Sequence, residues 1–319
     1  MRRFHLFEFN DRAWLPASIR DAATDYLQHS GRVMGVYGPA VVDRLRGALE
    51  RAGTRRVVDL CSGGGGPWLD LYGKLGDVEV RPTDPLPNVA GFEAARAATG
   101  GRVAFHPEPV DATAVPASLD GFRTMFTGFH HFRPDQARAI LADAVAKGHG
   151  VAIFEATERK PLAAAAMLIL PLVVLLVTPF IRPFRWSRLF WTYLVPAVPF
   201  IVFFDGIVSC LRTYTTEELL AMAREVGGDY EWQTGREPIG RGGPIGVTYL
   251  VGLPQARSGS DLRQSASPAP PAGCSIPPEI SVNFPPDHPV KGFLPRVVHV
   301  ARARIRKEGT LMKATRIRN

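Results

Sequence analysis

The sequence predicts an α/β protein built on a doubly wound, mostly parallel sheet of seven strands, preceded by helices and interrupted by an apolar helical insert. Three observations carry that expectation. Short β-branched or aromatic runs alternate with apolar-periodic stretches; a glycine turn, SGGGGP, directly follows the first such run; and the 319 residues are 46% hydrophobic and 21% charged. That composition is too apolar for a disordered chain, and the length suits one large domain or two small ones.

The elements follow in order. Over residues 16–28, Ile19, Ala22, Ala23 and Tyr26 share one helical side, and over 39–51 Val41, Val42, Leu45 and Leu49 do the same, so residues 1–54 read as a helical cap. The run VVDLC is a buried strand, and Pro67 opens a helix to residue 75, at a position where its missing N–H costs nothing. Runs ending at Asp84, Asp111, Phe132 and Ala156 supply four more strands, with a helix over 135–147 before the last of them. A Thr-Glu-Glu start signal opens a helix over 216–226, and 230–234 with 247–253 complete the sheet. Residues 55–254 therefore form the main domain, interrupted over 160–204. Residues 255–290, rich in Pro, Ser and Ala, read as a disordered linker before a basic tail, 291–319.

The net charge of +8 suggests a nucleic-acid binder, but residues 291–319 hold nine basic residues and one acid, so the rest of the chain is neutral. A solvated extension or attraction to anionic lipid explains such a tail better than nucleic acid, since no aromatic stacking platform accompanies it. Cys61, Cys210 and Cys274 lie far apart with no histidine at ligand spacing, which supports neither a disulfide framework nor a zinc site, and no metal is expected. A reducing cytosol fits. MRRFHLFEFNDRAW is too polar for a secretory signal, so none is expected.

In a parallel open sheet, ligands bind beyond the carboxyl ends of the strands where strand order reverses. The turn after Asp59, with Asp84 at the end of the second strand, suits either a dinucleotide or S-adenosylmethionine. DLCSGGGGP departs from the phosphate-cradling G-x-G-x-x-G and carries a proline at the helix start, which favours a ligand without phosphate there. From about residue 57 to 253 the sequence resembles the class I S-adenosylmethionine-dependent methyltransferases. Asp59, Gly63 and Gly65 match the family's first motif, with Cys61 where its first glycine usually stands. The resemblance implies a Rossmann-like fold, S-adenosyl-L-methionine as cofactor, Asp84 on the ribose hydroxyls, and Asp111 with Ala112 at the adenine. FTGFHHF looks like the family's fourth-strand motif, EATER the end of the fifth strand and REPIGRGGPIGVTYLVGLP the final antiparallel pair.

Methyl transfer needs alignment and, for a hydroxyl acceptor, a base. His130, His131 and Glu155 stand at the ends of the fourth and fifth strands, where the acceptor should lie. The alternatives are that the histidines pack against Phe129 and Phe132 and bond to backbone at the next helix start, and that Glu155 pairs with Arg159 or Arg212. Tyr37 and Tyr214 either close over the sulfonium through a cation–π contact or pack in the core. Cys61 lacks a neighbouring base and reads as a packing residue.

Residues 162–181 contain no charge and, as a straight helix, would reach about 30 Å, the thickness of a bilayer core. A second run, 189–204, carries Pro196 and Pro199. Because sheet strands lie on both sides of the insert, the number of crossings is even, and two crossings would put Arg182, Arg185 and Arg188 on the far side, against the positive-inside rule. A re-entrant hairpin with Trp186, Trp191 and Tyr193 at headgroup level is favoured, on the cytoplasmic side of the membrane. A buried lid over the site is the other reading. Either implies a lipophilic small-molecule acceptor, lipid-like, quinone-like or polyketide-like. A nicotinamide-dependent oxidoreductase would leave Asp111 and the fourth-strand motif unused, and a membrane-anchored scaffold with a vestigial site would not need the acids intact.

Overall fold

The computed structural model describes residues 1–239 and 245–255. Apart from Gln255, the expected linker 255–290 and basic tail 291–319 lie outside the described residues, as does Cys274.

Two helices, α1 (Ala17–Val33) and α2 (Pro39–Arg51), precede β1 (Arg56–Asp59), α3 (Trp68–Leu71), β2 (Glu79–Pro82), α4 (Val89–Ala98), β3 (Phe122–Phe126), α5 (Pro134–Ala146) and β4 (Val151–Glu155). The insert supplies α6 (Pro161–Ala166), α7 (Leu170–Val177), α8 (Trp186–Leu189) and α9 (Ala197–Arg212), and the chain closes with α10 (Thr216–Val226), β5 (Tyr230–Pro238) and β6 (Gly246–Pro254). Among the described residues the strands form one sheet of order β2-β1-β3-β4-β6-β5, with β1 to β4 parallel and β6 antiparallel to both β4 and β5.

Strand alternation divides the core into two layers. Val57, Phe122, Phe126, Ala152 and Phe154 face α2 and α3 through Val41, Leu45, Leu49, Trp68 and Leu71. Val58, Met125, Val151 and Ile153 face α5 and α10 through Ile140, Leu141, Leu219 and Met222. Burying each large side chain contributes about 1.5–3 kcal/mol, and both faces of the parallel sheet are covered.

Six strands are present among the described residues where seven were expected. Residues 101–111 run beside β2, with Ala104 N donating to Val80 O at 2.8 Å and His106 N to Pro82 O at 3.1 Å, yet only Val103 forms a bridge, to Val80. Pro107 and Pro109 lack the N–H groups that a ladder needs, so the segment follows the sheet edge without joining it as a strand. The helix expected over 67–75 shortens to Trp68–Leu71, and glycines 73 and 76 account for the early stop.

The insert packs on α1. Ile19, Ala22, Ala23 and Tyr26 meet Val174, Ile181, Val198, Ile201 and Val202 in a third apolar cluster. Arg188 is 2% exposed, pairs with Asp25 of α1 and donates to the carbonyls of Ile181 and Pro183, tying the turn between the two apolar runs to that helix. Among the described residues nothing covers the outer side. Leu168, Leu172, Leu176 and Phe180 are 68%, 55%, 62% and 70% exposed. Residues Pro161–Phe180 form one twenty-residue helical stretch long and apolar enough to cross a membrane, whereas Trp186–Leu194 and Ala197–Arg212 are bent by 77° from one another. The insert's last helix continues past residue 204 to Arg212, and its final turns carry the buried polar residues Asp205, Ser209 and Arg212.

Candidate functional site

Strand order reverses between β1 and β3, since β2 lies on the far side of β1. Two residues at that divide have positive φ without being glycine, Cys61 at 55° and Thr127 at 47°. Backbone strain of this kind persists where the surroundings over-determine it, which is common at ligand sites. Cys61 thus keeps the left-handed conformation of the glycine it replaces in the motif. Burial raises its thiol pKa well above the ordinary value, consistent with packing and not nucleophilic chemistry.

Asp59 ends β1 and is 1% exposed. Burial lifts its carboxyl to about 6, against the hydroxyls of Ser62 and Thr124, which donate to it at 2.5 and 2.6 Å. It braces the glycine turn from beneath. Gly63, Gly65 and Gly66 have φ of 59°, 110° and 54°, and a Cβ on Gly66 would stand 3.2 Å from Asp59 Oδ2. Above the turn, Thr24 and Gln28 of α1 and Asn88, the N-cap of α4, come within contact distance of a Cβ placed on Gly64.

Asp84 Oδ2 accepts from Gly63 N and Oδ1 from Leu86 N, each at 2.8 Å. Burial raises its pKa, and each oxygen retains a second lone pair for a ligand hydroxyl. Asp111 is exposed and accepts from Thr113 N and Oγ1 at 2.8 Å, an Asx turn at the rim. Ala112 beside it is buried. Cys61, Pro85, Val110, Asp111, Ala112 and Phe132 line a cleft of about 410 Å³, within the range of small-ligand sites. A cleft of about 370 Å³ at the opposite strand ends, around Arg56, Glu79 and Arg102, lies away from these acids. Cys61 of the turn, Asp111 and Ala112 therefore line one cleft, with Asp84 beside it at Pro85 and bonded to Gly63, and the two carboxylates carry the lone pairs that an adenosyl ligand's hydroxyl and amino groups need.

The histidines lie in a 3-10 turn, Phe129–His131, after β3. His130 Nδ1 is 2.7 Å from Glu155 Oε2, and Phe129 N and His130 N donate to Glu155 Oε1 at 2.7 and 3.2 Å. Although burial works to raise it, the Glu155 pKa is held below its ordinary value by His130. Glu155 does not pair with Arg159 or Arg212: Arg159 meets Glu218 at 2.7 Å, and Arg212 Nη1 meets Glu8 Oε1 at 3.1 Å and Asp11 Oδ2 at 2.9 Å. His131 Nδ1 lies 2.7 Å from Asp11 Oδ1. Burial lowers the His131 pKa, but Glu8 and Asp11 outweigh it and the net shift is upward.

Sequence spacing gave no hint of Glu8 or Asp11. Phe9 N and Asn10 N donate to Asp205 at 2.8 and 3.1 Å, and Ser209 Oγ donates to Glu8 at 3.2 Å, so α9 pins the N-terminal segment over the histidines. The legible signal is the spacing of Asp205, Ser209 and Arg212 on one helix face within an apolar run. Tyr37 and Tyr214 take structural positions: Tyr37 hydroxyl bonds Thr127 Oγ1 at 2.6 Å, and Tyr214 donates to Phe132 O at 2.8 Å beneath the Arg3 guanidinium.

The strand order, the closing antiparallel pair and an acid-flanked glycine turn at the reversal point settle the architecture. The fold is Rossmann-like, with the reversal and closing antiparallel pair expected from the sequence resemblance to the class I S-adenosylmethionine-dependent methyltransferases. No protein-family model and no curated protein matches the chain. Solved structures do. An O-methyltransferase family protein from Burkholderia thailandensis is 18% identical, covering 75% of this chain and 60% of its own, with a TM-score of 0.45. An O-methyltransferase from neocarzinostatin biosynthesis, solved with S-adenosylmethionine and 2-hydroxy-5-methyl naphthoic acid, is 16% identical over 75% of this chain and 59% of its own, with a TM-score of 0.45. A SAM dependent methyltransferase from Aquifex aeolicus is 15% identical over 73% and 97%, with a TM-score of 0.42. This chain thus spans about 60% of the length of the first two.

Proposed function

We propose that this chain is an S-adenosylmethionine-dependent methyltransferase acting on a lipophilic small-molecule acceptor at the cytoplasmic side of a membrane. One observation carries the cofactor assignment: Asp84 grips the amide of Gly63 at 2.8 Å beside a cleft that also holds Asp111 and Ala112. Asp84 would hold a ribose diol, Asp111 an adenine amino group, and the bare turn from Gly63 to Gly66 the methionine portion. Bound, the cofactor supplies a methyl group on a sulfonium. The chain aligns the acceptor and takes a hydroxyl proton, for which the half-buried His131, in its neutral form and 2.7 Å from Asp11, is better placed than His130 at 1% exposure.

The apolar acceptor and the membrane follow from the insert. Its inner face packs on α1, which itself touches the glycine turn, so a membrane-facing surface and the cofactor share one helix. The exposed Leu and Phe side chains offer an interfacial face, and Arg182 and Arg185 beside Trp186 suit anionic headgroups. Lid and membrane surface are then two sides of one structure.

Calorimetry with S-adenosylhomocysteine tests the cofactor assignment. Binding to the wild type, loss of at least tenfold in Asp84→Ala, and no heat with a nicotinamide dinucleotide are expected. Flat heats with the thioether, or tight dinucleotide binding, refute it. Incubation with vesicles of a lipid extract and methyl-labelled cofactor then shows which molecule accepts the label.

A further inference from the structure

His130, His131 and Glu8 come from two distant parts of the chain, yet their ligand atoms all lie within 4.8 Å of one another. His130 Nε2 stands 3.7 Å from Glu8 Oε1, and His131 Nε2 stands 3.6 Å from Glu8 Oε2. Among the described residues His130 Nε2, on a side chain 1% exposed, is buried without a hydrogen-bond partner. A buried ring nitrogen of this kind is costly unless something meets it. The opposite nitrogen of each ring faces a carboxylate, Glu155 for His130 and Asp11 for His131, both at 2.7 Å. For His130, which bonds Glu155, that is the outer-shell arrangement which fixes a ligating imidazole with its Nε2 lone pair turned toward an ion, and Asp11 stands within reach of the same role for His131.

We propose that Glu8, His130 and His131 form a binding site for a divalent first-row transition metal. Two imidazoles and one carboxylate suit zinc, cobalt, manganese or iron(II), and three protein ligands leave positions open for an exogenous oxygen. Arg212 and Ser209 engage Glu8 Oε1 at 3.1 and 3.2 Å, which leaves Oε2, the oxygen nearest His131, for an ion. The site closes only when the N-terminal segment is seated, because Asp205 and Arg212 of α9 hold it there. What the metal would activate rests on the methyltransferase reading: an acceptor oxygen, whose proton would pass to water while His131 serves as ligand and not as base. The binding itself does not rest on that reading.

The test uses the full chain, stripped with a chelator and titrated with cobalt(II), read by its visible d–d absorption and by calorimetry. One equivalent per chain is expected, with at least tenfold weaker binding in Glu8→Gln and in His131→Asn, and about 10- to 100-fold weaker binding in Asp11→Asn through loss of the outer-shell carboxylate. His149→Asn, remote from the cluster, should bind as the wild type does. Parallel titration with S-adenosylhomocysteine confirms that each variant is folded, since none of these residues lines the cofactor cleft. Absence of a d–d band in the wild type, or cobalt affinity unchanged in Glu8→Gln and His131→Asn, overturns the site. Cobalt bound without the thioether refutes the methyltransferase reading alone, and the thioether bound without cobalt refutes the metal site alone.

Discussion

Glu155 Oε2 lies 2.7 Å from His130 Nδ1, and each side chain is 1% exposed. Glu155 also receives the amides of Phe129 and His130, so one carboxylate closes β4 and orients the turn that follows β3. Replacing it by Gln offers the ring an amide donor in place of an acceptor and shifts the imidazole proton to Nε2. Glu155→Gln should lower methyl transfer by about 10- to 100-fold with thioether affinity retained. Glu155→Ala, which strands a buried partner, should lose about 3–5 kcal/mol of stability in denaturant melts. Equal activity of Glu155→Gln and wild type would remove the pair from the reaction.

Cys61 tests the strained turn. At φ 55° a β-branched side chain is strongly disfavoured while glycine is at ease. Cys61→Gly should keep cofactor affinity and change stability by less than about 1 kcal/mol. Cys61→Val should cost about 1–3 kcal/mol and weaken the thioether complex, as measured by thermal unfolding and calorimetry.

The Asp59 carboxyl, raised by burial to about 6 from 3.8, sets a pH dependence. A raised folded-state pKa means that the native protein binds the proton more tightly than the unfolded chain. Its stabilising contribution is complete below about pH 4, declines as pH rises to about 6, and is then flat, a change on the order of 3 kcal/mol. Asp59→Asn removes this decline, so the stability of the variant relative to wild type should increase between pH 4 and 7 in urea titrations. A relative stability independent of pH would contradict it.

Leu168, Leu172 and Leu176 recur every four residues on the bare side of the insert. Changing Leu172 and Leu176 together to Glu should leave the melting temperature within a few degrees and reduce co-flotation with anionic vesicles by tenfold or more. Deleting the whole insert is a poorer test, because Val174, Ile181, Val198 and Ile201 also complete the core around α1. Undiminished flotation of the double variant would exclude this face from membrane contact.

The layered fold was legible because strand and helix periodicities are local. Val57 and Val58 take opposite faces by simple alternation, and the glycine turn follows β1 in sequence as it does in space. The third expected strand was over-read, since the weight of Val103 and Phe105 hid what Pro107 and Pro109 withhold from a ladder. Asp59 was readable as a strand end because it closes β1, and Asp84 because it follows β2 by two residues, whereas the run before Asp111 forms no strand.

What chain order alone determined, then, is the alternating sheet, its glycine turn and the greasy insert, all properties of windows of about twenty residues or fewer. Only the tertiary structure decided that Glu8 and Asp11 stand against His131, that Arg212 neutralises them instead of Glu155, and that the insert packs on α1 within and is exposed without. The reason is physical: Glu8 reaches the histidines across more than a hundred residues because Asp205 offers two oxygens to the amides of Phe9 and Asn10. Such a contact depends on how a helix face and a loop meet in space, and no periodicity in either segment records it.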